Sequence, residues 1–317
     1  MNTPSPLEAL FVYARTFEFA YLTGDWSVLE PHFTADVRHH IEGGGIFGRG
    51  GEGRDEVIAG LAAGVDRVDR RFDLRIPEIL EGPVTRPDGV WMRFALTFRR
   101  EGLPDLHVEG THLARFRGDA IEALVETLAD GEAARAETFL LEHDDKLKPA
   151  GSPWSMASDP RDLEQLDAAV GRSMVRCYGS AKSERDVAAA LAVCSADFSI
   201  ETVPFGITTR DRDDTATQLG FFFATFPDYA VTLEGFANGP GTVACWGHVR
   251  MTFAGDSLGH VATGKTADLP IFCVFNCEGG VLGSERFFFD LAALCEQIGV
   301  PVEDFRESLR PLRAVAA

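Results

Sequence analysis

The chain repeats itself. "FTADV" at 33–37 parallels "CSADF" at 194–198, the "FG" at 47–48 parallels that at 205–206, and "GRDEVIAGL" at 53–61 parallels "DRDDTATQL" at 211–219. Further on, "ARFRGDAI" at 114–121 parallels "CVFNCEGGV" at 273–281, and Asp130 parallels Asp290. The offset stays between 158 and 161 residues throughout, where chance matches would drift. A period this long is a whole domain and not a solenoid unit of about 20–50 residues. The 317 residues therefore read as a first domain over 1–148 and a second over 162–317. Between them lies a linker over 149–161, within "KLKPAGSPWSMASDP", where Pro, Gly, Ser and Ala carry no hydrophobic period.

Each copy follows one plan. An amphipathic helix opens it, "LEALFVYARTFEFAYLT" or "DLEQLDAAVGRSMVRCY". A second short helix follows, with Asp25 or Ser183 as its expected N-cap. Then come a short strand, "DVRHHIE" or "DFSIETV", a third helix, and a strand-rich tail with hairpin turns. Helices first and meandering strands after them predict an α+β fold, each copy being an antiparallel sheet with its helices on one face.

Charge and composition narrow the function classes. A net charge of −19, from 30 basic and 49 acidic residues, repels phosphate backbones and argues against a nucleic-acid partner. No run approaches the ~18 uninterrupted apolar residues of a membrane span, and "MNTPSPLEAL" lacks the basic and apolar regions of a secretory signal, so the expected location is cytoplasmic. All six cysteines fall in the second half, mostly within apolar segments, as buried reduced thiols would.

"GHVATGKT" at 259–266 satisfies G-x-x-x-x-G-K-[ST] letter for letter. A phosphate loop needs a buried strand before it and a helix after it. Here "GDSLG" upstream is a turn, and "TADLPIFCVF" downstream carries Pro270 in a β-branched and aromatic run, so a hairpin is expected instead.

The same region resembles a known family. The strings are "FFFATFPDYAVTLEGFANGPGTVACWGHVRMTF", "LGHVATGK" and "PIFCVFNCEGGVLGSERFFFDLAALCEQIGV". Together they are similar to the SnoaL-like polyketide cyclases of the nuclear transport factor 2-like superfamily, over about residues 180–300. The resemblance implies two tandem cone-shaped (cystatin-like) domains, each a curved antiparallel sheet with helices on its concave face. It also implies an internal pseudo-dimer, with homo-oligomers as a further expectation. The superfamily hosts cyclases, isomerases, dehydratases and proteins that only bind, so the pocket residues must decide.

In the second copy, the position of the family's acid/base Asp falls at Ala267 and that of its pocket His at Phe253. The isomerase base position falls near Thr202. One slip of register would bring in Asp268, and Glu201 sits beside Thr202. With Cys245, Val249, Met251 and Phe253 on its expected inner face, this cone reads as apolar. The candidate ligand-lining residues are Phe94, Glu201, Met251, Phe253 and Asp268.

Polar candidates concentrate in the first copy, which holds six of the eight histidines. His39 and His40 lie on opposite faces of one strand, so one of them must face the cone. His39 and His112 share the expected inner face, with Glu42 and Glu109 on the other. The candidate catalytic set is His39 or His40 as base, assisted by His112 or Glu109, because imidazole titrates near neutrality. A metal site from His39, His40, His107 and His112 has no helical i, i+4 pair or Cys/His spacing behind it, so no metal and no cofactor are expected. "EGGGIFGRGGEG" at 42–53 reads as a mobile loop over the cone mouth, and "VDRVDRRFDLR" at 65–75 as a solvated surface. The expected function is uptake of a small, largely apolar, carbonyl-bearing molecule, with cofactor-free cyclisation, isomerisation or dehydration as its chemistry. The alternative is a binding or regulatory module without turnover.

Overall fold

Runs of β-branched and aromatic residues in the two tails supply four strands to each of two six-stranded sheets of the same order. The computed structural model describes residues 3–154 and 159–310, so residues 155–158 of the expected linker lie outside the described residues. It divides into two units, Met1–Ser173 and Met174–Ala317.

In the first unit the elements run α1 (Pro6–Thr23), β1 (Phe33–Glu42), β2 (Gly50–Glu52), α2 (Arg54–Arg67), β3 (Leu74–Arg86), β4 (Gly89–Arg99), β5 (Leu106–Arg117), β6 (Ala120–Leu128) and α3 (Glu132–Glu142). Helix α4 (Pro160–Glu184) begins in the first unit and ends in the second. The second unit continues with α5 (Val187–Ala192), β7 (Cys194–Thr202), β8 (Ile207–Thr208), α6 (Arg212–Thr225), β9 (Ala230–Gly239), β10 (Thr242–Thr252), β11 (Thr266–Glu278), β12 (Val281–Phe289), α7 (Leu291–Ile298) and α8 (Val302–Ser308).

The strand orders are β2-β1-β6-β5-β4-β3 and β8-β7-β12-β11-β10-β9. Neighbours are antiparallel except β1 with β6 and β7 with β12, which are parallel, so each sheet is mixed. The four-strand meander starts at the far edge and returns beside the first strand, and its last strand then runs in that strand's direction. Register shifts at Ile79/Glu81, Glu81/Val84 and Trp246/Gly247 mark bulges, which bend strands.

Local chemistry fixes the element ends. Ser5 accepts from the Glu8 N–H at the start of α1, and Gly24 ends it with φ 78°, a left-handed conformation that costs glycine nothing. Asp25 caps the short 3-10 helix Trp26–His32, as expected. Ser183 does not cap α5: it lies inside α4, where its hydroxyl donates to the Gly179 carbonyl, and Asp186 is the cap. The helix ran longer than its apolar pattern suggested.

Alternation sorts each sheet into an inner and an outer face. In the first unit Val37, Val90, Phe98, Val108, Ala114 and Leu124 are buried inward. In the second, Val249, Met251, Phe253, Ala267 and Leu269 are buried, so Met251 and Phe253 do line the interior. Phe94 lies over Gly110 on the neighbouring strand, where a Cβ would come within 3.0 Å of the ring.

The charge run at 65–75 is a solvated surface only in part: Asp66 and Arg67 are exposed, but other members turn inward. Arg70 is buried and donates to the Tyr21 carbonyl, and Arg75 is buried against Glu18 and over the Tyr21 ring at 4.1 Å. Burial raises the Asp69 carboxyl to about 6, against the pull of Arg75. These side chains turn inward because α1 lays Glu18 and Tyr21 over the start of β3. "GHVATGKT" forms a hairpin connection: Gly264 N–H donates to the Phe253 carbonyl, Phe253 N–H to the Lys265 carbonyl, and strand β11 begins at Thr266. Among the described residues no helix is long and apolar enough to cross a membrane, and all six cysteines are free thiols, five of them buried.

Candidate functional site

Three strands of the first sheet bring three titratable side chains together on the inner face. His39 comes from β1, His112 from β5 and Glu126 from β6, and the register sets His112 directly opposite Glu126. His39 Nε2 lies 3.5 Å from Glu126 Oε1, and His112 Nδ1 lies 3.9 Å from the same oxygen. The imidazoles are nearly closed off, at 3% and 10% side-chain exposure, while Glu126 keeps 26%. The carboxylate is thus the group this cluster presents.

The separations exceed hydrogen-bond length. Both ring nitrogens of His39 and Nε2 of His112 are buried without a hydrogen-bond partner in the protein. Leaving such groups unsatisfied costs about 1–3 kcal/mol each. Sites that carry this cost are candidates for function.

The electrostatics separate the roles. Burial drives the His112 pKa below its ordinary value, opposed by the nearby Glu126, so its imidazole is neutral at pH 7. Burial works to raise Glu126, but the His39 and His112 imidazoles outweigh it and hold the carboxyl below its ordinary range. Tyr13 on α1 is buried, and burial together with the Glu126 charge raises its phenol well above the usual value. Half-buried Met92 and Phe94 flank the cluster, Met92 opposite His112 and Phe94 opposite Gly110. The result is an ionised, partly accessible carboxylate beside a neutral imidazole, with apolar walls.

The other sequence candidates fall elsewhere. His40 is exposed on the outer face of β1. Glu109 is also outward, paired to Arg93 at 3.1 Å. Glu201 pairs with Arg286 at 2.6 Å and Asp268 with His248 at 3.3 Å, both in exposed positions. Among the described residues, no three His, Cys, Asp or Glu side chains are arranged to hold a metal ion.

The second interior also carries charge, against the expectation of an apolar cone. Glu285 on β12 is 1% exposed; Lys182 Nζ lies 3.2 Å and 3.3 Å from its two oxygens, and the Tyr178 hydroxyl donates to it at 2.8 Å. Burial works to lower the Lys182 pKa, but the Glu285 charge more than offsets it and raises it, so the ammonium persists. A cavity of about 20 Å³ beside them, lined also by Tyr229, Cys245 and Cys273, has room for one water.

Sequence reasoning missed Glu126, Glu285 and Lys182. A signal was present: Glu126 and Glu285 are 159 residues apart, inside the duplication offset. Carrying the repeat through "ALVETL" and "LGSERF" would have paired the two glutamates.

Residues 172–298 match the model of a family described as SnoaL-like polyketide cyclase. No curated protein matches the chain. Among solved structures, a protein of ketosteroid isomerase-like fold from Catenulispora acidiphila, in complex with trimethylamine, is 15% identical, with TM-score 0.37 over 41% of this chain and 95% of that one. TsrD from Streptomyces laurentii is 18% identical, with TM-score 0.39 over 43% of this chain and 99% of that one. An NTF2-like protein from Burkholderia pseudomallei is 19% identical, with TM-score 0.36 over 41% and 97%.

Proposed function

We propose that the first unit takes up a small, largely apolar carbonyl compound and moves a proton next to its carbonyl, with Glu126 as the base. The observation that carries this reading is the partly accessible Glu126 carboxylate between two buried imidazoles, with both ring nitrogens of His39 and Nε2 of His112 lacking partners in the protein. The match of residues 172–298 to a cyclase family supports small-molecule uptake as the general role.

The steps follow from the groups present. The α-proton passes to a Glu126 oxygen, and the C–H electron pair moves onto the carbonyl oxygen as an enolate. A ring N–H of neutral His112 or of His39 donates to that oxygen as its charge grows, in a site whose low dielectric strengthens the contact. Return of the proton from Glu126 to another carbon completes isomerisation, and exchange follows when the Glu126 carboxyl trades its proton with solvent before returning it. Attack by the enolate carbon on a second carbonyl of the same molecule would close a ring, the C=O π pair passing to oxygen as an alkoxide that takes the proton back from Glu126. Met92 and Phe94 exclude water and hold the apolar body of the ligand.

The test is solvent-deuterium exchange into the α-positions of cyclic and aryl ketones, followed by proton NMR. Wild-type protein should accelerate exchange, and Glu126→Gln should slow it by about 10²–10⁴-fold, the usual contribution of a positioned acid or base. Unchanged exchange in Glu126→Gln would remove the reading. Saturable ketone binding without exchange would instead assign the unit a binding role without turnover.

A further inference from the structure

The outer face of the first sheet holds a cleft of about 210 Å³ whose charged and titratable walls are Asp36, Arg38, His40, Arg115, Arg117 and Glu122. Arg38 and His40 face outward because they alternate with inward His39 along β1. The register sets both Arg38 and Arg115 opposite Ala123, one from each neighbouring strand. Two arginines thus flank a single methyl group at two inter-strand spacings, roughly 10 Å, with low ground between them.

One end of the cleft is charge-balanced. Arg117 makes two contacts of 3.1 Å with Asp36 and one of 3.0 Å with Glu122. Arg38 and Arg115 differ. Among the described residues neither forms an ion pair, although Glu52 stands opposite Arg38 in the register of β2. Acidic residues outnumber basic ones 49 to 30 in this chain, so two adjacent arginines without carboxylate partners form a local island of positive charge. Guanidinium groups bind oxyanions through paired N–H donors, and more strongly than neutral donors do.

We propose that this cleft binds a small organic oxyanion, a carboxylate or phosphate monoester, gripped between Arg38 and Arg115 with His40 beside it. Arg117, held by its two carboxylates, forms a fixed wall. The site lies on the opposite face of β1 from His39 and does not depend on the chemistry proposed for Glu126.

Calorimetric titration with inorganic phosphate and with succinate, at constant ionic strength balanced by chloride, tests it. Wild-type protein should bind at least one of them saturably at one site per chain. The double variant Arg38→Gln with Arg115→Gln, at two exposed positions, should keep the wild-type melting temperature without anion and bind at least tenfold more weakly. Glu126→Gln should bind as wild type does. Binding of phosphate alone, succinate alone or both would define the oxyanion class. Absence of saturable binding for both, or equal binding by the double variant, would overturn the proposal.

Discussion

At the scale of single residues, Glu126, His39 and His112 form a cluster in which burial keeps His112 neutral and the neighbouring imidazoles keep Glu126 ionised. Folding disfavours the protonated form of both His112 and Glu126, since both pKa values sit below their ordinary ones. The stability they contribute is complete above the unfolded values, about 6.5 and about 4.3, and is lost as pH falls through the lower folded values. Urea unfolding midpoints should therefore decline from pH 7 to pH 5, and His112→Asn should flatten that decline. A midpoint series with the same slope in the variant would contradict the assignment. The two histidines were legible in the sequence because alternation along a strand decides faces once one inward residue is known. Glu126 was not, because a lone glutamate in "ALVETL" looks like an outward residue, and only the packing of β6 between β1 and β5 shows it turned inward.

At the scale of elements, the duplicated positions do not keep their jobs. Asp290 caps α7, accepting from the Ala292 and Ala293 N–H groups. Its parallel Asp130 precedes α3, which begins at a glycine cap with no side-chain hydrogen bond. Asp290→Ala should cost about 1 kcal/mol, whereas Asp130→Ala should stay within about 0.5 kcal/mol; denaturant titration of both separates the cases. Most of the element order could be read from periodicity and turn residues. The single parallel pair in each sheet and the long run of α4 through Ser183 could not, because both depend on where distant segments dock and not on local preference.

At the scale of the whole molecule, one domain plan is used twice with two interiors. In the first unit a glutamate on the last strand faces two histidines; in the second, the glutamate 159 residues later faces Lys182 and Tyr178. Lys182→Met leaves Glu285 buried and without its cation, and should destabilise the protein by about 3–5 kcal/mol. Replacing both, Lys182→Met with Glu285→Leu, should recover most of that loss in the same denaturant titration. At temperatures where the single variant stays folded, ketone exchange by the first unit should be unaffected. The duplication, the α+β class, the resemblance of the second copy and the inward places of His39, His112, Met251 and Phe253 are legible in the chain alone, because periodicity and repeated strings are local properties. Which carboxylates meet which partners emerges only when the chain is folded. Glu285, Lys182 and Arg75 are buried side chains and Glu126 a partly exposed one, each set against residues far away in sequence. Their burial becomes tolerable only when those partners arrive.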